Sequence, residues 1–305
     1  MAAYTAQRPC GGPGNNGSNL AVLKWVVLAA GLLLVAAVLL AWLGNARWAA
    51  ASRDLQARLE ASRTSPRPAR YSSSELEGLP APVQRYLRAA LSEGQAIVAA
   101  VEVVHRGRFN LSESGASWRP FSSRQRVVTQ RAAFLWDGRV ALLPGVAVRV
   151  HDAYIAGEGL LHAALLGLVT LVDLRGGGAL AQAELMRFLA EAAWYPTALL
   201  PSQGVSWEPV DDTSARASLR DGAIELTMLF SFGTDGMIEA VRAPARARTL
   251  SGKVVATPWE GRWSNVQQRG GMRVPMSGEV AWLTPEGRKP YWRGTIVSIA
   301  YEFAK

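Results

Sequence analysis

The chain has 305 residues, of which 49% are hydrophobic and 19% are charged, so it can bury a core and is not a disordered polymer. Its net charge of +9 is concentrated near the N-terminus, where residues 1–70 hold eight Lys/Arg against two acidic residues. Residues 71–305 are almost neutral, which argues against a nucleic-acid partner. A single cysteine, Cys10, excludes an intrachain disulfide and a Cys-rich zinc site.

The N-terminal region predicts a membrane anchor. Residues 1–19 are rich in Gly, Pro, Asn and Ser and predict a disordered tail. Leu20 to Leu43 predicts a transmembrane helix, because residues 25–46 carry no charge over 22 positions, and about 20 apolar residues cross a bilayer. The alternative is a cleaved signal peptide with a weak site near Ala49 and Ala51, but the apolar run is longer than the usual signal core.

The residues after this helix predict its orientation. Arg47, Arg53, Arg58 and Arg63 follow the apolar run, so the positive-inside rule places the large domain of a single-pass protein in the cytoplasm. Residues 44–78 predict a juxtamembrane helix and then a linker rich in Pro, Arg and Ser.

Residues 79–305 predict a single β-rich domain. A short helix is expected from Pro82 to Leu91, and from Ile97 onward the hydrophobic period changes to two, which is typical of strands. Four turn signals separate several strand candidates: Asp137-Gly138, Asp221-Gly222, Asp235-Gly236 and Glu286-Gly287. Sequential hairpins favour an antiparallel sheet. The apolar run Leu160–Val172 predicts a buried or interfacial helix.

Ala179 to Pro201 contains the strongest helical pattern in this region. Its apolar stripe consists of Leu185, Phe188, Leu189 and Ala192. A long sheet must curl to bury its inner face, so we expect a curved antiparallel sheet wrapped on this helix. Glu184, Arg187 and Glu191 form a polar stripe beside the apolar one. They are either pocket groups for acid–base chemistry, a solvated face, or a buried structural network.

Further candidates for ligand contacts lie on a strand and among the tryptophans. Asp152 and Tyr154 share one strand face, where they either line a cavity or form an ordinary strand end with a satisfied hydroxyl. Trp194 and Trp207 either line an apolar cavity or fill the core. His105, His151 and His162 lack paired ligand spacing, and no cofactor motif occurs, so no metal or cofactor is predicted.

Several stretches resemble a known family. LPAPVQRYL, FLWDG, HDAYIAGEGLL and AELMRFLAEAAWYPTALLP, within Leu79 to Glu302, resemble a bacterial family of unknown function, the DUF6544 type. The resemblance implies one β-rich domain, often behind an N-terminal span, and a fold like the curved half-barrel of lipoprotein-carrier proteins. It implies no activity.

These features favour a membrane-anchored binding module for an apolar or amphipathic ligand such as a lipid. Two alternatives stay open: a hydrolase-like enzyme using Glu184, Glu191 or Asp152, and a structural partner of another membrane protein. The absence of a nucleophile or metal motif makes the enzyme the less favoured reading.

Overall fold

The computed structural model describes residues 16–112, 115–250 and 252–305. The chain divides into two compact units at the boundary between residues 46 and 47. Helix α1 spans Asn16–Ala61, and its apolar part has the length and hydropathy needed to cross a membrane, a test that a signal sequence also passes. Most of the tail predicted for residues 1–19 lies outside the described residues, and residues 16–19 already belong to α1.

The second unit is built on one antiparallel sheet. Its strands are β1 (Val98–Asn110), β2 (Trp118–Val128), β3 (Ala133–Leu143), β4 (Val146–Ile155), β5 (Glu158–Leu165), β6 (Val169–Gly176), β7 (Val205–Asp211), β8 (Ser214–Asp221), β9 (Ile224–Phe232), β10 (Ile238–Leu250), β11 (Lys253–Arg269), β12 (Met272–Thr284) and β13 (Gly287–Phe303). Two further helices are α2 (Ala81–Ala90) and α3 (Gly178–Glu191).

The strand order is β6-β5-β4-β3-β2-β1-β13-β12-β11-β10-β9-β8-β7. Consecutive strands pair as hairpins except β6 and β7, and the first strand pairs with the last one. The open edges are β6 and β7, and α3 joins them in the sequence. This arrangement confirms the predicted antiparallel sheet.

The sheet curls around α3. This helix contacts β4 and β5 on one side and β9 and β10 on the other. In the strand order β5 and β10 are eight places apart, so a flat sheet would hold them about 38 Å apart at about 4.8 Å per strand. A helix is only about 10–12 Å wide, so it can touch both strands only if the sheet curves round it. The prediction of a curved sheet wrapped on a central helix is confirmed.

The helix predicted for Leu160–Val172 is wrong, because this run forms the hairpin of β5 and β6. Leu166 and Gly167 both have positive φ, 54° and 71°, which reverses the chain where a helix would have to continue. β5 then pairs along its length with β4, so tertiary pairing decides the conformation of an ambiguous apolar run.

The predicted hairpin at Asp137-Gly138 is also wrong, because both residues lie inside β3. A Cβ at Gly138 would lie 2.0 Å from the Trp136 ring, so the glycine makes room for an indole folded along its own strand. Two similar Trp-x-Gly steps occur on other strands, where a Cβ would approach the ring to 2.3 Å at Gly294 and 3.0 Å at Gly261. The other three turn signals do fall at hairpin turns.

The Trp-x-Gly steps give the two faces of the sheet different chemistry. The tryptophans of these steps, Trp136, Trp259 and Trp292, are buried in the main core that surrounds α3. The middle residue of each step points to the opposite, outer face, where it is charged. Glu260, for example, is only 1% exposed because Arg242, Arg262 and Arg288 cover it.

The C-terminal part of α1 packs on that outer face. Leu55 and Leu59 form a second hydrophobic cluster with small and branched residues of β1 to β5. The predicted linker also belongs to the folded unit, since the Tyr71 amide donates to the Gln95 carbonyl at 2.9 Å and the Tyr71 side chain is buried. The boundary between the units therefore lies at residue 47 and not at residue 79.

Candidate functional site

Helix α3 carries the candidate site into the core of the sheet. Its apolar stripe is buried as predicted, with Leu185 at 0% exposure and Phe188 at 3%. Short 3-10 turns follow the helix, because Pro196 and Pro201 cannot continue an α-helical hydrogen-bond pattern. The polar stripe is buried as well: Glu184 is 5% exposed and Glu191 8%. The reading of this stripe as a solvated face is therefore wrong.

Arg187 is the centre of a buried ion network. Its Nε donates to Glu191 Oε1 at 2.7 Å, and its Nη1 donates to Asp152 Oδ2 at 2.5 Å. Its Nη2 donates to Gln125 Oε1 at 3.2 Å, and Gln125 in turn donates to Glu191 Oε2 at 2.5 Å. The guanidinium lies 4.8 Å from the centre of the Phe134 ring, a cation–π contact inside the core. The three side chains held by Arg187 come from α3, β2 and β4.

Glu184 faces a second arginine from the opposite half of the sheet. Arg246 of β10 donates from Nη2 to Glu184 Oε1 at 3.4 Å and from Nε to the Ala183 carbonyl at 3.0 Å. Its Nη1 donates to the Tyr291 hydroxyl at 3.4 Å, which also accepts from Trp259 Nε1 at 2.9 Å. Together, Arg187 and Arg246 connect α3 to both halves of the curved sheet.

The charges of this network balance only if one carboxyl is protonated. Three carboxylates, from Asp152, Glu184 and Glu191, meet two guanidinium groups, from Arg187 and Arg246. Burial, and next the charge of Asp152, raise the pKa of Glu184 to about 8 against the opposing effect of both arginines. Burial alone lowers the pKa of Arg187, but the carboxylates around it raise the pKa overall. At neutral pH Glu184 therefore holds a proton and the network is neutral.

An aromatic cluster lies beside the network on the inner face of the sheet. We use this name for His105, Phe121, Trp136, Trp194, Trp263 and Trp292. The ring centroids of Trp194 and Trp263 are 5.0 Å apart, and those of His105 and Trp194 are 4.9 Å apart. Burial and the charge of Arg187 lower the pKa of His105 to about 3, so its imidazole is neutral at physiological pH.

Several polar atoms of this inner region have no hydrogen-bond partner in the described structure. They are Nε1 of Trp136, Trp194 and Trp263, Nε2 of His105, and Oδ1 of Asp152. A buried polar atom without a partner is uncommon and calls for a water, an ion or a ligand group. The side chains of Trp136, Trp194, Trp263 and His105 are each at most 5% exposed, so bulk solvent does not satisfy them.

The predicted ligand-contact residues fall into three places. The structure brings Asp152, Glu184, Arg187 and Glu191 together, and Trp194 lies in the neighbouring aromatic cluster. Tyr154 donates instead to Asp221 Oδ2 at 2.7 Å, as the strand-end alternative predicted. Trp207 donates to the Leu199 carbonyl at 3.0 Å and packs on Phe230, so it fills the core elsewhere.

Sequence reasoning missed Gln125, Arg246 and Tyr291 as members of the network. No local signal marks them, because they lie on strands far apart in the chain and meet only when the sheet curls. Two members of the aromatic cluster, Trp136 and Trp292, had a visible signal, since each belongs to a Trp-x-Gly step that places the indole over a glycine on the same face.

A second polar cluster lies on the outer face, between α1 and the sheet. Trp48 stacks on His151 with ring centroids 3.9 Å apart and donates to Asp137 Oδ1 at 3.0 Å. Ser52 Oγ is 2.8 Å from both Asp137 Oδ2 and His151 Nε2. A catalytic triad needs serine and aspartate on opposite imidazole nitrogens, whereas here both lie near Nε2 (3.6 Å for Asp137). This cluster attaches α1 to the sheet.

Within the part of the chain that the structure describes, no group of three or more His, Cys, Asp or Glu side chains is placed to hold a metal ion.

Comparisons with solved structures found distant likenesses. A LolA superfamily protein from Nitrosomonas europaea is 8% identical, with a TM-score of 0.38, and the match covers 72% of this chain and 92% of that one. A beta-barrel-like protein from Brucella abortus, a domain of unknown function (DUF1849), is 10% identical with a TM-score of 0.18, covering 68% and 99%. At these scores neither likeness extends to function. No match was found among the curated proteins.

The family assignment comes from the sequence. The resemblance to the DUF6544 type was wrong, because the family model that matches residues 77–301 is DUF6920. The matched residues run from the turn before α2 almost to the end of β13, and so include nearly the whole sheet, α3 and the buried network. The chain therefore belongs to the DUF6920 family, a family of unknown function.

Proposed function

We propose that the protein is a membrane-anchored binding module for an amphipathic ligand such as a lipid, held between α3 and the inner face of the sheet. The observation that carries this proposal is the aromatic cluster with its unpaired indole and imidazole nitrogens. Apolar pockets with a few convergent polar groups are typical of small-molecule sites. The aromatic rings would contact the apolar part of the ligand, and the unpaired nitrogens its polar group.

The glycine-rich segment that joins β6 to α3 supports a ligand-dependent displacement of this helix. Trp194 belongs to the 3-10 turn that follows α3 and packs on Trp263 and His105 of the sheet, so a ligand among these rings requires this turn and the end of α3 to shift. The chain enters α3 through Gly176, Gly177 and Gly178, and φ is +121° at the first and +64° at the last. Gly177, at the N-cap position, has no side chain that could cap this end of the helix.

The packing of α1 supports an uncleaved anchor over a signal peptide. Cleavage near Ala49 or Ala51 would remove Trp48 from the folded unit, together with its contacts to Asp137 and His151. Arg47 and the arginines after it follow the apolar segment, so by the positive-inside rule we place the large domain in the cytoplasm.

The enzyme alternative is less well supported. Each carboxylate it would use contacts an arginine within 3.4 Å: Asp152 and Glu191 contact Arg187, and Glu184 contacts Arg246. Such pairing inside the core favours a structural role that holds α3 in the sheet.

The test is native mass spectrometry of the full-length protein extracted from membranes in detergent. We expect collisional activation to release a bound amphipathic molecule from the wild-type protein. Trp263→Phe keeps an aromatic ring and removes one unpaired N–H, so the ligand occupancy of this variant should fall several-fold. Trp118→Phe is the matched control, because Trp118 lies on the outer face beneath Arg293. A wild-type protein that carries no ligand mass beyond detergent would overturn the proposal.

A further inference from the structure

The strand order brings the hairpin turns to two opposite ends of the sheet. Because all neighbours are antiparallel, the turns β1–β2, β3–β4, β5–β6, β8–β9, β10–β11 and β12–β13 lie at one end. The turns β2–β3, β4–β5, β7–β8, β9–β10 and β11–β12 lie at the other end, where α3 also begins.

The first of these ends exposes large apolar side chains. Leu111, Leu143, Val169, Val254 and Val255 lie within three residues of its turns and are 40% to 68% exposed. We call these five residues the apolar rim. They come from four different hairpins, so the apolar character belongs to this end of the sheet and not to one loop.

The opposite end is less apolar. Among the described residues, the exposed large apolar side chains close to a strand end there are Leu174 and Val210, at 38% and 41%. Exposed apolar side chains scattered singly are normal on a soluble domain, whereas several at one end indicate an interaction surface.

Exposed basic residues accompany the rim. Arg119 follows the β1–β2 turn, Lys253 begins β11, and Lys289 follows the β12–β13 turn, and all three side chains are exposed. Apolar side chains beside basic ones are the combination that binds the interface of an anionic bilayer, where lipid phosphates meet acyl chains.

The direction in which the Arg47–Ala61 segment of α1 crosses the sheet agrees with a bilayer at the rim end. Trp48 contacts His151 in the middle of β4, and ten residues later Arg58 pairs with Glu158, at the end opposite the rim. The Arg47–Ala61 segment therefore begins nearer the rim than it ends. In the sequence only three residues separate Leu43, the end of the predicted span, from Arg47.

We propose that the apolar rim inserts into the interface of the same bilayer that the N-terminal span crosses, with Arg119, Lys253 and Lys289 on anionic lipid phosphates. This inference rests on the membrane anchor proposed above and is independent of the internal ligand. A domain held in this way presents one end of its sheet to the lipid surface.

The test uses the full-length chain in nanodiscs of phosphatidylcholine and phosphatidylglycerol that contain a nitroxide-labelled quencher lipid. Cys10→Ser removes the natural thiol, and an environment-sensitive fluorophore is attached at Leu143→Cys on the rim or at Val210→Cys at the opposite end. We expect quenching several-fold stronger at position 143 than at position 210. Equal quenching at both positions would overturn the proposal. A chain that is not incorporated into nanodiscs at all would show instead that the anchor itself is absent.

A charge variant makes the role of anionic lipid falsifiable. With the fluorophore at position 143, Arg119→Glu and Lys253→Glu together should reduce quenching in phosphatidylglycerol nanodiscs at least two-fold. Arg175→Glu, on β6 near the opposite end, should leave it unchanged. If the double variant at Arg119 and Lys253 shows the same quenching as Arg175→Glu, the basic residues of the rim do not contact lipid phosphates.

Discussion

At the scale of single residues, the buried network depends on every member being present. Arg187 holds Asp152, Glu191 and Gln125, and its own side chain is only 16% exposed. Removing two charges from water is costly, and pairing recovers that cost only while the pairs are complete. The effect of a substitution here therefore depends on which groups it leaves unpaired.

Arg187→Met should lower the free energy of unfolding by about 3–5 kcal/mol, because it leaves buried carboxylates without a counter-charge. Arg175→Met is the control, since Arg175 pairs with Asp173 on the surface, where such pairs contribute about 0–1 kcal/mol. Chemical denaturation of the full-length protein in detergent measures both. Equal midpoints for the two variants would show that the network is not structural.

Glu184→Gln should change how stability depends on pH. In the folded wild-type protein the pKa of Glu184 is raised from 4.5 to about 8. Below about pH 4.5 both states hold the proton. Between about pH 4.5 and 8 the unfolded state loses it and the folded state keeps it, so wild-type stability falls with rising pH by up to about 1.4 kcal/mol per unit.

The variant lacks this titration. It should therefore gain stability relative to the wild type across the same window, as measured by denaturation midpoints at a series of pH values. Glu225→Gln, a change at an exposed position on β9, serves as the control. Parallel pH profiles for the wild type and Glu184→Gln would contradict the assignment of the proton to Glu184.

At the scale of elements, two helices stabilise the sheet from opposite faces. α3 fills the inner face, and the segment Arg47–Ala61 of α1 covers part of the outer face. Both helices bury apolar side chains against the sheet, so this packing, rather than helix propensity, accounts for most of their stability.

Phe188→Ala should cost about 3–5 kcal/mol of unfolding free energy, as expected when a buried aromatic is truncated. Phe188 is 3% exposed and packs on Tyr195, whose hydroxyl donates to the Phe188 carbonyl at 2.8 Å. The exposed Gln182 on the same helix gives the control, Gln182→Ala. An unchanged denaturation midpoint for Phe188→Ala would show that the packing of α3 does not stabilise the fold.

A fragment beginning at residue 47 should be more stable than one beginning at residue 71. The shorter fragment loses the burial of Trp48, Leu55 and Leu59, which are 3%, 6% and 0% exposed. Each large apolar side chain contributes about 1.5–3 kcal/mol on burial, so the loss approaches the total stability of many domains. Denaturation of the two fragments side by side measures the difference, and coincident transitions would argue that this segment only lies on the surface.

At the scale of the whole molecule, the apolar N-terminal helix and the folded unit predict one membrane topology. The full-length protein should fractionate with membranes and resist extraction by alkaline carbonate. A reporter fused after Lys305 should behave as cytoplasmic. Release of a soluble product that begins near residue 51 would support the signal-peptide alternative, and a reporter active outside the cytoplasm would reverse the orientation.

The sequence by itself predicted the class of each element wherever the local pattern was strong. The apolar run of residues 25–46, the period of two from Ile97 onward and the stripe of Leu185, Phe188 and Leu189 all gave predictions that agree with the structure in type of element. The failures lie where two conformations are locally similar in energy. Leu160–Val172 is apolar enough for a helix or a hairpin, and pairing with β4 selected the hairpin.

The tertiary structure alone decided which charges meet. Glu184, Arg187 and Glu191 were visible as one stripe, but their partners Asp152, Gln125 and Arg246 come from β4, β2 and β10. Side-chain contacts between distant strands depend on the curvature of the sheet, which results from the sum of many packing interactions and has no local sequence signal. For the same reason the sequence determined that α3 has a polar stripe, and only the fold determined that this stripe is buried.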